Sequence, residues 1–362
     1  MSPKVEGRRP ESFVRATVRP LAAYGPPRDP AAVPLHLNES PDDLPADLKA
    51  ELSAKIRSSD WSKYPITEGA GLAADIAQAF QADPAGVLVG NGSNELLQLL
   101  LFACVDPGDA VVVATPSFSL YALQAAALGA RVIEVPLRHG DEFRFPVAEL
   151  AAAAQGAKLV LLGSPNNPTG STLSLDEAAE LARAVPCLLA IDEAYRDFCG
   201  QDFAPLLADH PRLVLFRTFS KAFAAASLRA GCLMAAPAFC AELRKVQLPY
   251  NLSAPSCLVA RELLKRPGLV QERVRRVQQE RARMAAALRE LRIFVHASGA
   301  NFLLFEQDRR PAAELHAGLF RHGVLIRNVS AGRDLKRCLR VSIGAPAAND
   351  AFLAALRAEL AP

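Results

Sequence analysis

The chain has 362 residues, and 41 Lys plus Arg stand against 38 Asp plus Glu, a formal net charge of only +3. Hydrophobic residues make up 51% and charged residues 22%, which excludes a disordered chain, and no apolar run approaches the roughly 20 residues needed to span a bilayer. The near-neutral balance argues against a dedicated nucleic-acid binder, and the length suggests about two domains that bury roughly three quarters of their surface on folding.

In chain order, the first ten residues carry charges and prolines but lack the apolar stretch of a secretory signal. From about residue 85, short apolar β-branched runs alternate with longer Ala/Leu-rich stretches. Strands are expected at 87–90, 110–114, 131–135, 158–162, 187–191, 213–217 and 231–235, with crossover helices at 95–104, 119–128 and 175–184. This pattern predicts an α/β fold, a mostly parallel seven-stranded sheet covered by helices. Residues 269–291, rich in Arg, Gln and Glu without Pro or Gly, predict a long, largely solvated helix linking two lobes. Strand-like 302–305 and 338–343 and a terminal helix near 351–360 predict a small α+β lobe. The expected division is 1–48 as an N-terminal segment belonging to the small domain and the substrate lid, 49–265 as the large domain, and 266–362 as the small C-terminal domain.

Ligands of open α/β sheets bind outside the carboxyl ends of the strands, so polar residues directly after a strand carry weight. The fourth strand runs into Ser164-Pro165-Asn166-Asn167-Pro168-Thr169-Gly170, the fifth into Asp192-Glu193-Ala194-Tyr195, and the sixth into Thr218-Phe219-Ser220-Lys221 followed by Arg229. Singly, such a Lys reads as a surface charge and such an Asp as a helix cap. Together they match what pyridoxal phosphate chemistry requires: an amine to condense with the aldehyde, a carboxylate to keep the ring nitrogen protonated, and donors around a phosphate. Gly90-Asn91-Gly92-Ser93-Asn94, between a strand and a helix, reads either as a plain turn and cap or as N–H groups at a positive helix terminus.

These motifs, in this order and spacing, resemble the fold-type I, class-II aminotransferases, and more narrowly the histidinol-phosphate aminotransferase family, over roughly residues 20–345. The resemblance implies that Lys221 bonds the cofactor pyridoxal 5'-phosphate and later moves the substrate Cα proton. It implies that Asp192 pairs with the pyridine nitrogen and that Tyr195 and Asn167 hydrogen-bond the 3-oxygen. Phe118 stands where the family stacks an aromatic ring, and Gly92, Ser93, Asn94, Thr218, Ser220 and Arg229 form the phosphate cradle. Tyr64 matches a tyrosine that reaches the neighbouring subunit's cofactor, which implies a homodimer with shared sites. Tyr24, Asn38 and Glu39 match the segment closing over the substrate, and Arg327 and Arg340 match the substrate-anion arginines. The chain departs from the family pattern at Asn94, where Asp is usual, at Ser227, where Gly is common, and at Ser40 within Asn38-Glu39-Ser40-Pro41.

The activity implied is transamination between L-histidinol phosphate plus 2-oxoglutarate and imidazole acetol phosphate plus L-glutamate, in histidine biosynthesis. Paired arginines suit a phosphorylated substrate, because guanidinium forks onto phosphate. They also suit the two carboxylates of glutamate, so threonine-phosphate decarboxylation and aromatic amino-acid transamination on the same fold stay open. A transcription regulator with an aminotransferase-like effector module would need a DNA-binding domain, for which the residues before the matched region are too few. Seven cysteines without a CxxC pair point to a reducing, cytoplasmic setting. The six histidines are spread through the chain without metal-ligand spacing, so they read as surface or core residues and no metal is expected.

Overall fold

Seven runs of Val, Leu, Ile and Ala, most of them buried on both faces, form the central sheet of a computed structural model that describes residues 10–23, 25, 33–140 and 142–361. The strands are β1 (Val87–Asn91), β2 (Ala110–Thr115), β3 (Arg131–Pro136), β4 (Leu159–Gly163), β5 (Leu188–Asp192), β6 (Leu213–Thr218) and β7 (Ala230–Met234). Their spatial order is β1-β7-β6-β5-β4-β2-β3. Neighbours from β6 through β3 pair in parallel, whereas β7 runs antiparallel to both β1 and β6. Runs such as Val111, Val112 and Val113 on β2 and Leu159 through Leu162 on β4 lie at 0–1% exposure, as a sheet sandwiched between helix layers demands.

Helices α1 (Ser93–Cys104), α2 (Leu120–Ala127) and α3 (Leu175–Ala184) follow β1, β2 and β4. α3 begins with a capping box, the Ser174 hydroxyl accepting from the Glu177 N–H and the Glu177 carboxylate from the Ser174 N–H. Apolar side chains of α1 and α2 pack on one face of the sheet, and the larger core on the other face continues into the C-terminal lobe.

The long helix α4 spans Pro267–Glu290, with its proline in the first turn where a missing N–H costs nothing. It starts two residues earlier than the sequence suggests. It is also less solvated than expected: Val270, Val277, Met284 and Leu288 are buried, and so is Arg273, which at 1% exposure donates to the Ala222 carbonyl at 3.0 Å. Beyond α4, β8 (Phe294–Val295), β9 (Phe302–Glu306), β10 (Arg327–Asn328) and β11 (Cys338–Ser342) form an antiparallel sheet ordered β8-β9-β11-β10, and α5 (Pro346–Leu360) closes the lobe. The N-terminal segment joins this lobe, because Val33–Pro34 pairs in parallel with Val324–Leu325 and the Ser342 N–H donates to the Leu35 carbonyl. Among the described residues, no helix is long and apolar enough to cross a membrane.

Candidate active site

Asp192 is the last residue of β5, in register with Gly163 on β4 and Phe216 on β6, so it emerges at the carboxyl ends of the parallel strands. There a cleft of about 820 Å³ opens, walled by the sheet, the loop after β6, the 36–39 segment and the C-terminal lobe. One Asp192 oxygen accepts from the Tyr121 hydroxyl at 2.9 Å and the other from the Ala194 N–H at 3.0 Å. Burial pushes the Asp192 carboxyl up to about 6, and these two donors and Lys221 only partly offset it. Tyr121 is 3% exposed, and burial beside Asp192 holds its hydroxyl well above the ordinary range, so it stays a donor.

Lys221 follows β6 and donates to the Leu37 carbonyl at 2.9 Å. Burial brings its amine down to about 8, helped by Arg340 and Arg229 and opposed by Glu39 and Asp192.

Arg229 sits in the left-handed region at φ 54, just before β7, and donates to the Ser220 hydroxyl at 3.2 Å and the Ala226 carbonyl at 3.0 Å. The Thr218 hydroxyl donates to Ser220 at 3.0 Å. Two glycines let this cluster meet the start of α1. Gly92, at φ 83, precedes the helix, and a Cβ there would lie 2.3 Å from Arg229 Nη2; a Cβ at Gly231 would lie 2.5 Å from the Ser93 nitrogen. The outcome is a concave group of hydroxyls, a guanidinium and helix N-terminal N–H groups, suited to an anion.

The structure brings Asn38, Glu39, Ser93, Asn94, Phe118 and Asn167 to the same cleft as Asp192, Tyr195, Thr218, Ser220, Lys221 and Arg229. Arg327 and Arg340 enter it from the C-terminal lobe. Arg340 donates to Asn167 Oδ1 and, at 2.6 Å, to the His36 carbonyl. Asn38, at φ 55 and 1% exposed, donates from Nδ2 to the Tyr195 hydroxyl at 3.0 Å and accepts from Ser342. It acts as a rivet between Tyr195 and the C-terminal sheet. Tyr64 does not reach this cleft: it is 72% exposed and stacks on Tyr250 with ring centroids 4.6 Å apart. Tyr24 lies outside the described residues.

Sequence reasoning passed over Tyr121, Ser342, Asn301 and Arg333. Tyr121 stands three residues after Phe118, and its ring meets Phe118 edge-on at 5.5 Å, a helix-start spacing that could have flagged it. Asn301 donates to the Asn38 carbonyl at 3.0 Å, a contact across most of the chain that no local pattern announces. Arg333, in the loop between β10 and β11, lines the cleft beside Arg327.

A model of the family "aminotransferase class I and II" matches residues 31–356. The chain belongs to that family. Histidinol-phosphate aminotransferase 2 of Bordetella bronchiseptica is 35% identical over 348 residues, 95% of each chain. The histidinol-phosphate aminotransferase of Chlorobium phaeovibrioides is 35% identical over 354 residues, 96% of each. Among solved structures, the histidinol-phosphate aminotransferase of Sinorhizobium meliloti, in complex with pyridoxal-5'-phosphate, matches with a TM-score of 0.80 at 26% identity, covering 89% of each chain.

Proposed function

We propose that this protein is a pyridoxal-phosphate-dependent transaminase that interconverts L-histidinol phosphate plus 2-oxoglutarate with imidazole acetol phosphate plus L-glutamate, in histidine biosynthesis. The observation that carries the reading is one cleft holding an amine tuned to about 8, a buried carboxylate and a glycine-lined anion cradle, in a chain 35% identical to named histidinol-phosphate aminotransferases over nearly its full length. The site fits the cofactor electrostatically, since a protonated ring nitrogen beside Asp192 supplies the positive charge that offsets the burial of its carboxylate. Glycine at 92 leaves room for the Arg229 guanidinium at the cradle, where a Cβ would stand 2.3 Å from Nη2.

When bound, pyridoxal phosphate supplies an aldehyde that condenses with amines and a ring that accepts the electrons released at the substrate Cα. Lys221, its amine brought down to about 8 so that a fraction is neutral at physiological pH, would serve as the nucleophile toward that aldehyde and as the base for the Cα proton. Asp192, fixed by Tyr121 and Ala194, holds the ring nitrogen's proton. Asn167 and Tyr195 would hold the 3-oxygen and Phe118 the ring face, all three lining the cleft. Gly92, Ser93, Asn94, Thr218, Ser220 and Arg229 hold the phosphate. Arg327 and Arg340 would receive the substrate's anionic group, with Asn38 and Glu39 lining the same cleft.

The functional unit is a homodimer in the cytoplasm, in which Tyr64 of each chain reaches its partner's site. Exposed Trp61, Tyr64, Ile66, Leu248 and Tyr250 support this reading, being large apolar side chains open to solvent in the single chain. An odd number of cysteines, seven, without a CxxC pair agrees with a reducing compartment. Residues 49–265 form the cofactor-binding domain, and 266–362 with the N-terminal segment 1–48 form the small domain.

The test is a side-by-side kcat/KM comparison of histidinol phosphate, aromatic amino acids and threonine phosphate, with 2-oxoglutarate as acceptor. Histidinol phosphate should lead, with stoichiometric glutamate formation. Carbon dioxide release from threonine phosphate without oxoacid consumption, or preference for an aromatic amino acid, would overturn the assignment.

A further inference from the structure

His139, His296 and Glu306, far apart in the chain, present one donor atom each within 4.8 Å of one another, the one such trio of His, Cys, Asp or Glu found among the described residues. His139 belongs to a small hairpin, Arg138–His139 paired with Phe143–Arg144, just after edge strand β3. His296 follows β8, and Glu306 ends β9. The trio therefore lies where the large sheet's hairpin meets the C-terminal sheet. His296 is 2% exposed, and its Nε2 lies 2.7 Å from Glu306 Oε1. His139 Nε2 lies 3.6 Å from the same oxygen, and its side chain, 36% exposed, leaves a route from solvent.

We propose that His139, His296 and Glu306 bind a zinc ion that clamps the hairpin to the C-terminal sheet. Two imidazoles and one carboxylate are a donor set that zinc accepts, with water in the fourth position on the solvent side. Donors around tetrahedral zinc at about 2.0 Å stand about 3.3 Å apart. The His139 to Glu306 separation of 3.6 Å lies close to this, and the His296 to Glu306 contact has to open by about 0.6 Å. Neighbouring groups keep the rings in place: Phe143 stacks on His139 at 4.3 Å and 8°, and Phe294 meets His296 edge-on at 4.9 Å. Arg337 faces the other Glu306 oxygen, Oε2, at 3.8 Å, which leaves Oε1 to the histidines as a single-oxygen ligand. Arg138, beside His139, is turned to Glu149 at 2.6 Å rather than to the trio. None of the three residues lines the catalytic cleft, so the site is separate from the transaminase reading.

The experiment is equilibrium dialysis of the cofactor-loaded protein against micromolar zinc sulfate, on wild type, His139→Ala and Glu306→Gln. Metal content is read by mass spectrometry, and cobalt(II) absorption reports the ligand field. Wild type should hold one more zinc per chain than His139→Ala, and each variant should bind at least about 100-fold more weakly, a larger loss than removing an outer-shell partner gives. Zinc should raise the melting temperature of wild type and not that of His139→Ala. His139 is at the surface, so this variant keeps the protein folded even where Glu306→Gln does not. Equal zinc on wild type and His139→Ala, or a cobalt spectrum unchanged by the substitution, would overturn the proposal and leave a hydrogen-bonded His–Glu–His group.

Discussion

The Tyr121 hydroxyl donates to Asp192 Oδ2 at 2.9 Å from a nearly buried ring, so the carboxylate at the end of β5 is held by a side chain from α2. A hydrogen bond to an ionised group contributes about 1.5–3 kcal/mol. Tyr121→Phe should therefore weaken Asp192 as the ring-nitrogen partner. The expected result is a kcat at least tenfold lower with KM little changed, together with a shift in the pH titration of the bound cofactor's absorbance. A kcat within twofold of wild type and an unmoved titration would remove Tyr121 from this role.

Gly92 packs against Arg229 where a methyl group would stand 2.3 Å from the guanidinium, in a backbone conformation that L residues avoid. Gly92→Ala should leave the fold intact by circular dichroism while weakening pyridoxal phosphate binding by about tenfold or more. Fluorescence titration of the cofactor-free protein measures this directly, and unchanged affinity would show that the anion sits elsewhere.

The Lys221 amine, brought down to about 8 from its usual 10.5, is mostly protonated below pH 8 and mostly neutral above it. Only the neutral amine attacks an aldehyde. The rate at which cofactor-free protein takes up pyridoxal phosphate should rise with pH through an inflection near 8. An inflection near 10.5 would mean that the amine is not desolvated.

The same pH logic applies to stability, with its own sign. Asp192 titrates near 6 when folded and near 3.8 when unfolded, so between these values the folded state binds the extra proton. Stability then falls as pH rises through that window, by about 3 kcal/mol in all. Asp192→Asn should remove this dependence. Urea melts of the cofactor-free protein at pH 5 and pH 7 test it, and a variant that gains nothing over wild type at pH 7 would contradict the assignment.

Behind the site, Arg217 and Glu193 form an ion pair at 2.8 Å, their side chains 4% and 0% exposed, with the guanidinium 4.4 Å from the centre of the Phe80 ring. Arg217 also donates to Asp202 Oδ1 at 2.5 Å, so it is loss of Arg217 that leaves a buried charge, Glu193, without its salt-bridge partner, at a cost of about 3–5 kcal/mol. Arg217→Met should lower stability by that order in a urea melt, and Arg217→Met combined with Glu193→Gln should recover much of it. A single substitution costing under about 1 kcal/mol would show the pair to be solvated.

Seven strands were legible to within a residue or so because six are short, nearly all-apolar runs that a two-sided sheet buries and the seventh, edge strand β3, still carries the β-branched Val132, Ile133 and Val135. The residues that follow β4, β5 and β6 were legible as a site because polar groups at strand ends have few structural duties. What stayed hidden depends on pairing at a distance. The two-residue hairpin at His139 has no periodicity to detect, and the parallel pairing of Val33 with Val324 joins opposite ends of the chain. Arg273 was misread as a solvent-facing charge because its carbonyl partner, at Ala222, lies on the loop that carries Lys221.

The reversal of β7 has a consequence for how Arg229 is delivered to the cleft. A five-residue strand is about 17 Å long. Had β7 run like its neighbours, the residue preceding it would lie at the far rim of the sheet, that distance from Lys221. Because the strand comes back, the loop leaving β6 returns its own end to the rim it started from, and Lys221 and Arg229 become two anchor points of one short tether. Lengthening that tether would loosen both anchors together, while an insertion at the opposite end of β7 would touch neither.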